Sequence, residues 1–289
     1  MSLSAFALIV LAALIHASWN LLAKRAAQAG PVFVFAYTGV SCVTYFPWVL
    51  WIFLGDGISW SGAGIACILA SGALHLAYSL CLQRGYQVAD LSVVYPVARG
   101  TGPMLSTIGA FLLLGESPSI TGVAGLLAIV VGILLISTQG QLSRFADPAA
   151  LVGVRWGATT GTAIAGYTVV DAYGVKMLGI HPVVLDWCVN VVRMLMLLPW
   201  LMAHRREAMA SMRGHWGLAI AVGVLSPLSY ILVLQALRAG APLSLAAPAR
   251  EMSMMAGALM GALILKEAVG IWRLVGCLVM ICGVALLAQ

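Results

Sequence analysis

Apolar residues run along this chain in long unbroken stretches, and short polar or glycine-bearing turns separate them. The stretches fall at about 3–23, 32–54, 62–83, 91–114, 121–138, 156–177, 182–203, 215–237, 243–265 and 270–288. A membrane-crossing helix needs roughly 20 mostly apolar residues. Only helices or closed barrels satisfy the backbone in lipid, and a barrel strand alternates where these runs are continuous. The pattern therefore predicts an all-α integral membrane protein with ten transmembrane helices. Connections such as Gly55-Asp56-Gly57 and Gly115-Glu116-Ser117-Pro118 are short, and the longest two are 139–155 and 204–215. None has room for a soluble catalytic domain, so the function must lie among the helices. The first run has no basic residues before it and no clear small-residue cleavage site, so it reads as a retained helix.

The chain resembles itself. Tyr78 and Gln83 align with Tyr230 and Gln235, and Leu91-Ser92, Pro96 and Arg99 align with Leu243-Ser244, Pro248 and Arg250. Gly115-Glu116 matches Lys266-Glu267, Gly125 and Gly132 match Gly276 and Gly283, and Lys24 matches Lys176. Two five-helix repeats are expected, over 1–142 and 143–289. Five is odd, so the second repeat must enter the membrane from the opposite side. That inverted plan is common in secondary transporters, which bind substrate near the midplane between repeats.

Composition narrows this reading. The 289 residues are 62% hydrophobic and 8% charged, against about 25% charged in a soluble domain. The net charge of +6 sits in loops and forms no basic domain, so no nucleic-acid partner is expected. The six cysteines lie inside apolar runs without ligand spacing and read as small buried hydrophobes. Loops after spans 1, 3, 5, 7 and 9 hold Lys24, Arg25, Arg84, Arg144, Arg155, Arg205, Arg206, Arg213, Lys266 and Arg273, and the opposite loops hold Arg238 alone. By the positive-inside rule the richer side is cytoplasmic and both termini are external.

Polar groups inside the spans carry the candidate chemistry. Arg99 and Arg250 lie eight or nine residues into spans that enter from opposite sides, about 12–13 Å deep in a core about 30 Å thick. An arginine there costs on the order of 3 kcal/mol unless it faces a cavity or a partner. Its planar fork suits a carboxylate, phosphate or phosphonate; the alternative is an internal pair, Arg250 with Glu251 or Arg99 with a distant acid. Pro96, Pro103 and Pro248 flank the two arginines and permit local unwinding. Span 1 places His16, Trp19 and Asn20 on one face, and span 3 does the same with His75 and Tyr78. Span 6 adds Tyr167 and Asp171, span 7 adds Asp186, Asn190 and Arg193, and span 8 adds Tyr230 and Gln235. Each isolated group is equally suited to an inter-helix hydrogen bond, and Asp171 and Arg193 suit each other. There is no His-Glu-x-x-His, no Gly-x-Ser-x-Gly and no phosphate loop, so neither an enzyme nor an ATP-driven pump is expected.

With His16-Ala17-Ser18-Trp19-Asn20, Lys24 and Asp90-Leu91-Ser92-Val93-Val94-Tyr95-Pro96-Val97-Ala98-Arg99-Gly100, the chain resembles the EamA family of the drug/metabolite transporter superfamily over nearly its whole length. The resemblance implies a basket of ten helices around a central cavity in the inner membrane. It implies export of amino acids, aromatic ones included, with cytoplasmic termini where the charge tally gives external ones. The span-4 stretch also resembles phosphonate-associated members.

These readings combine into an expected substrate site between the repeats. It comprises Arg99, Arg250, Glu251, Tyr78, Trp19, Tyr95, His16, Asn20, His75, Asp171, Gln235 and Ser244. Arginine would take a carboxylate, Glu251 or Asp171 an ammonium, and the rings and methionines an apolar side chain. The partners expected are a small-molecule substrate and the lipid bilayer, with the buried acids and histidines available for proton coupling. No cofactor or metal is expected, and the chain is taken as a monomer or weak oligomer. An anionic phosphonate or organophosphate is the alternative cargo, and a lipid-modifying membrane enzyme the remote one.

Overall fold

The computed structural model describes residues 2–55, 60–89, 91–141, 143, 145, 150–257 and 270–288, and among them there is no β-strand. The helices are α1 (Leu3–Arg25), α2 (Pro31–Gly55), α3 (Gly62–Val88), α4 (Leu91–Leu113), α5 (Ile120–Thr138), α6 (Ala150–Lys176), α7 (Pro182–Ala203), α8 (Arg205–Ser211), α9 (Trp216–Arg238), α10 (Leu243–Ala249) and α11 (Ile271–Ala288). Every predicted span but the ninth coincides with one long helix. The ninth begins as α10, breaks at Arg250-Glu251 and resumes at 252–257; beyond that it lies outside the described residues, as does the Lys266-Glu267 match.

Six helices, α1, α2, α3, α5, α7 and α9, are long and apolar enough by composition to cross a membrane. Helices α4 and α6 are more polar because they face protein rather than lipid. On α6, Gly153, Gly157 and Gly161 recur every fourth residue. A Cβ at Gly157 would lie 2.8 Å from the Val94 carbonyl oxygen, and one at Gly161 would lie 2.9 Å from that of Ala98. Small residues at this spacing let two backbones approach closely, as membrane helices require when apolar burial cannot drive packing. Gly153 meets Val93, Gly157 Val97 and Gly161 Thr101, a constant register that makes α4 and α6 parallel.

Helices α5 and α11 cross the other way. Gly125 packs on Gly283 and Gly132 on Gly276, so closely that a Cβ added to any of the four would lie 2.8–2.9 Å from its partner's backbone oxygen, and this pair is antiparallel. The other main contacts fall into exchangeable sets. Helix α3 packs on α6 as α1 packs on α9, α2 on α9 as α7 on α3, and α2 on α7.

The proline expectation holds for one arginine and fails for the other. Helix α4 runs unbroken through Pro96 and Pro103. Around Pro248 the chain tightens to i→i−3 bonds, with Glu251 N–H donating to the Pro248 oxygen at 3.0 Å and Ser253 N–H to the Arg250 oxygen at 3.1 Å. One element was unforeseen: α8 in the 204–215 loop. It is short, with Arg205 and Arg206 exposed and Ala208 and Met212 buried with Ala26, Ala29, Val32 and Phe33. This amphipathic turn covers the α1–α2 connection with its basic side outward.

Candidate functional site

Three buried polar groups occupy the bundle interior. The first joins α4 to the broken helix. Arg99 is 7% exposed and Glu251 1%, and Arg99 Nε stands 2.9 Å from Glu251 Oε2. The contact lies off the N–H direction, so it is an ion pair rather than a hydrogen bond. Arg99 NH2 donates to Ser253 Oγ at 3.0 Å, and its guanidinium sits 5.8 Å from the Tyr95 ring centre. The sequence left open whether Arg99 had a distant acid, and Glu251 is that acid. Arg250, 4% exposed, has no ion pair or side-chain hydrogen bond among the described residues, and its Nε is buried without a partner.

The second group lies where α3, α6 and α9 meet. Tyr167 and Asp171 share one face of α6, one turn apart, and Ser71, His75 and Tyr78 share one face of α3. The Tyr230 hydroxyl donates to Asp171 Oδ2 at 2.6 Å, while Oδ1 has no partner in hydrogen-bonding geometry. Asp171 is fully buried with no cation at ion-pair distance among the described residues, so it does not pair with Arg193. His75 donates from Nδ1 to the Ser71 carbonyl at 3.0 Å and stacks on Tyr167 with ring centres 3.8 Å apart. Tyr230 meets His75 edge-on at 5.5 Å, and Tyr78 meets Tyr167 at 5.8 Å. Four rings therefore pack against one another, and one of them, Tyr230, binds the buried carboxyl.

The third group is the α7 stripe, joined by hydrogen bonds along and across the helix, although Arg193 Nε is buried without a hydrogen-bond partner. Asn190 Nδ2 donates to Asp186 Oδ2 at 3.0 Å, and Arg193 NH1 donates to Asn190 Oδ1 at 3.1 Å. Arg193 NH2 reaches Tyr37 of α2 at 3.1 Å and Ser79 of α3 at 3.3 Å. These contacts fasten α7 to its neighbours.

On α1, the His16 and Trp19 rings meet edge-on at 4.8 Å, and Trp19 Nε1 donates to Ser229 Oγ at 3.1 Å. His16 stands within electrostatic reach of both Arg99 and Arg250. His16, Trp19, Asn20, His75, Tyr78, Tyr95 and Tyr230 all keep partial exposure around the buried charges. Gln235, near the end of α9, is half-buried and makes no side-chain hydrogen bond to these groups among the described residues.

Ser244 sits apart, at a latch on the membrane edge. Glu116 accepts the Leu243 N–H at 2.7 Å, the Ser244 N–H at 2.9 Å and Lys176 Nζ at 3.0 Å. Lys176 also donates to the Ala241 oxygen at 3.2 Å. The carboxylate so ties the α4–α5 turn to the start of α10 and the end of α6, beside a cleft of about 340 Å³. Burial alone would raise the Glu116 carboxyl, but the hydrogen bonds from Ser244, Leu243 and Lys176 outweigh it and hold it below the ordinary 4.5. A lowered folded-state value contributes stability that is present above the ordinary value and is lost as pH falls through the lowered one. Glu116→Gln should cost about 1 kcal/mol, read as roughly 2–4 °C in melting temperature at neutral pH. The gap to wild type should close on acidification below 4.5. A constant gap from neutral to strongly acidic pH would refute this role for the charge.

The profile of the EamA-like transporter family matches residues 3–138 and again 151–289. Multidrug resistance protein EbrB from Bacillus subtilis (strain 168) is 33% identical over 86 residues, 29% of this chain and 68% of that protein. The EbrB of Bacillus atrophaeus is 32% identical over the same shares. A solved crystal structure that is 16% identical covers 99% of this chain and 98% of its own, with a TM-score of 0.72; at that identity it speaks for the fold alone.

Proposed function

We propose that this chain, which belongs to the EamA-like transporter family, exports small zwitterionic metabolites, first among them amino acids with apolar or aromatic side chains. One observation carries the reading. Arg99 and Glu251 form an ion pair, while among the described residues Arg250 and Asp171 make no ion pair, and Arg250 Nε and Asp171 Oδ1 are buried without hydrogen-bond partners. A charge held in a membrane interior without compensation is costly and marks the place where a ligand's opposite charge is received. The substrate carboxylate goes to Arg250, its ammonium to Asp171, and its side chain among Tyr78, Tyr167, His75 and Tyr230. The family match over each half, the antiparallel α5–α11 crossing and the exchangeable packing pairs support two inverted repeats that rock about this centre. The loop charges support external termini, which a reporter fused after Gln289 would read directly.

Purified protein in liposomes tests the substrate class. Labelled phenylalanine should flux saturably, methionine should compete, and Asp171→Asn should raise the phenylalanine KM about tenfold or more, as loss of one buried charge partner does. Absence of flux for any amino acid in folded wild-type protein sinks the proposal. A second reading has its own support: a buried carboxyl beside a cluster of aromatic rings also suits an organic cation, and the EbrB relatives are named for multidrug resistance. Flux of tetraphenylphosphonium that phenylalanine does not inhibit would favour it.

A further inference from the structure

Glu251 has no counterpart in the first half: Arg99 aligns with Arg250, but Gly100 follows the one and Glu251 the other. The two arginines therefore give the centre two guanidinium groups, and one acid without a counterpart in the other repeat breaks the match. Its carboxylate is 1% exposed and committed to Arg99 at 2.9 Å. Ser253 takes another Arg99 donor, so Arg99 is held on the protein's own groups. Arg250, by contrast, makes no ion pair or side-chain hydrogen bond among the described residues, and its Nε is buried without a partner.

We infer, resting on the zwitterion reading above, that Glu251 is the residue that sets charge selectivity, by cancelling Arg99 so that the site offers one free guanidinium and rejects dianions. A monocarboxylate matches Arg250 alone. A phosphonate or dicarboxylate brings a second negative charge that finds no open cation and meets the Glu251 carboxylate instead. Rejection by a like charge is one of the two routes by which a site discriminates, beside added contacts.

The probes are phenylalanine and its α-aminophosphonate isostere, which differ only in the acid group. Binding to purified protein in detergent is read by tryptophan fluorescence. Wild type should prefer phenylalanine by about tenfold or more. E251Q frees Arg99 and should shift that preference at least tenfold toward the phosphonate, while R99Q/E251Q, lacking both charges, should return to the wild-type ratio. Should E251Q not fold, R99Q alone carries the test. There Glu251 loses its partner and turns to Arg250, phenylalanine affinity falls tenfold or more, and adding E251Q restores it. An unchanged ratio in E251Q, or a double variant that stays defective, overturns the inference while leaving the zwitterion site standing. Failure of wild type to bind either probe overturns the site itself.

Discussion

Arg250→Ala is expected to raise the phenylalanine KM about thirtyfold or more while leaving thermal stability unchanged or slightly higher. The two halves of that result have one cause. Removing one member of a buried charge pair costs about 2–5 kcal/mol of binding when a ligand supplies the other member, and 2 kcal/mol is about thirtyfold. Arg250 makes no ion pair among the described residues: its Nε is buried without a hydrogen-bond partner, and 4% exposure gives it little water. Deleting an uncompensated buried charge removes a desolvation penalty, so stability does not pay for the lost function. Arg99→Ala behaves oppositely. It strands Glu251, fully buried beside it, and should lower the melting temperature. Arg250→Lys keeps the charge but loses the planar fork, and should fall between wild type and alanine in KM. Transport and melting curves on the three variants check the set. An Arg250→Ala protein that melts several degrees early would mean that the arginine holds the fold together and receives no ligand.

The sequence revealed this site unevenly, and the reason is geometric. Helices were legible because continuous apolar runs declare them, to within a few residues at most ends. The α7 stripe was legible because Asp186, Asn190 and Arg193 recur at helical spacing on one element. Partners across elements were not: Asp171 was weighed against Arg193, yet Tyr230 of α9 binds it. Ser253 and Tyr37 were missed because a hydroxyl in an apolar run carries no signal of its own, although Ser71 stands one helical turn before His75 and its spacing was readable. Ser244 was noticed through the repeat and given the wrong setting. Its backbone N–H serves the Glu116 latch, a contact between residues far apart in sequence, and Lys176, which completes that latch, escaped the loop tally because it ends a helix. Internal repetition pointed to positions, then, but not to what each one touches.

Gly132→Val should be among the most disruptive single substitutions in the bundle, and it tests the crossing on which the two halves meet. The Cβ it adds would stand 2.3 Å from Met280 Cγ and 2.8 Å from the Gly276 carbonyl oxygen. Met280 Cγ lies at the root of a fully buried side chain and the Gly276 oxygen is backbone, so neither yields easily and α5 and α11 must separate. Separation forfeits the close contacts that run from Gly132–Gly276 to Gly125–Gly283, and with few other forces holding membrane helices together the loss spreads along the pair. Overpacking of this kind costs about 1–3 kcal/mol, several degrees in melting temperature. Gly217→Ala is the control: nothing lies within 4 Å of its added Cβ, and alanine is the better helix former by about 1 kcal/mol, so it should melt no earlier than wild type. Because Gly132 lies away from Arg250 and Asp171, whatever protein remains folded should keep the wild-type KM, and flux should fall only with the folded fraction. A changed KM at full folding would show that the α5–α11 crossing shapes the substrate centre as well as the scaffold. A Gly132→Val protein as stable as wild type would show that the two helices do not meet at these glycines, and the argument for inverted halves would lose its firmest contact.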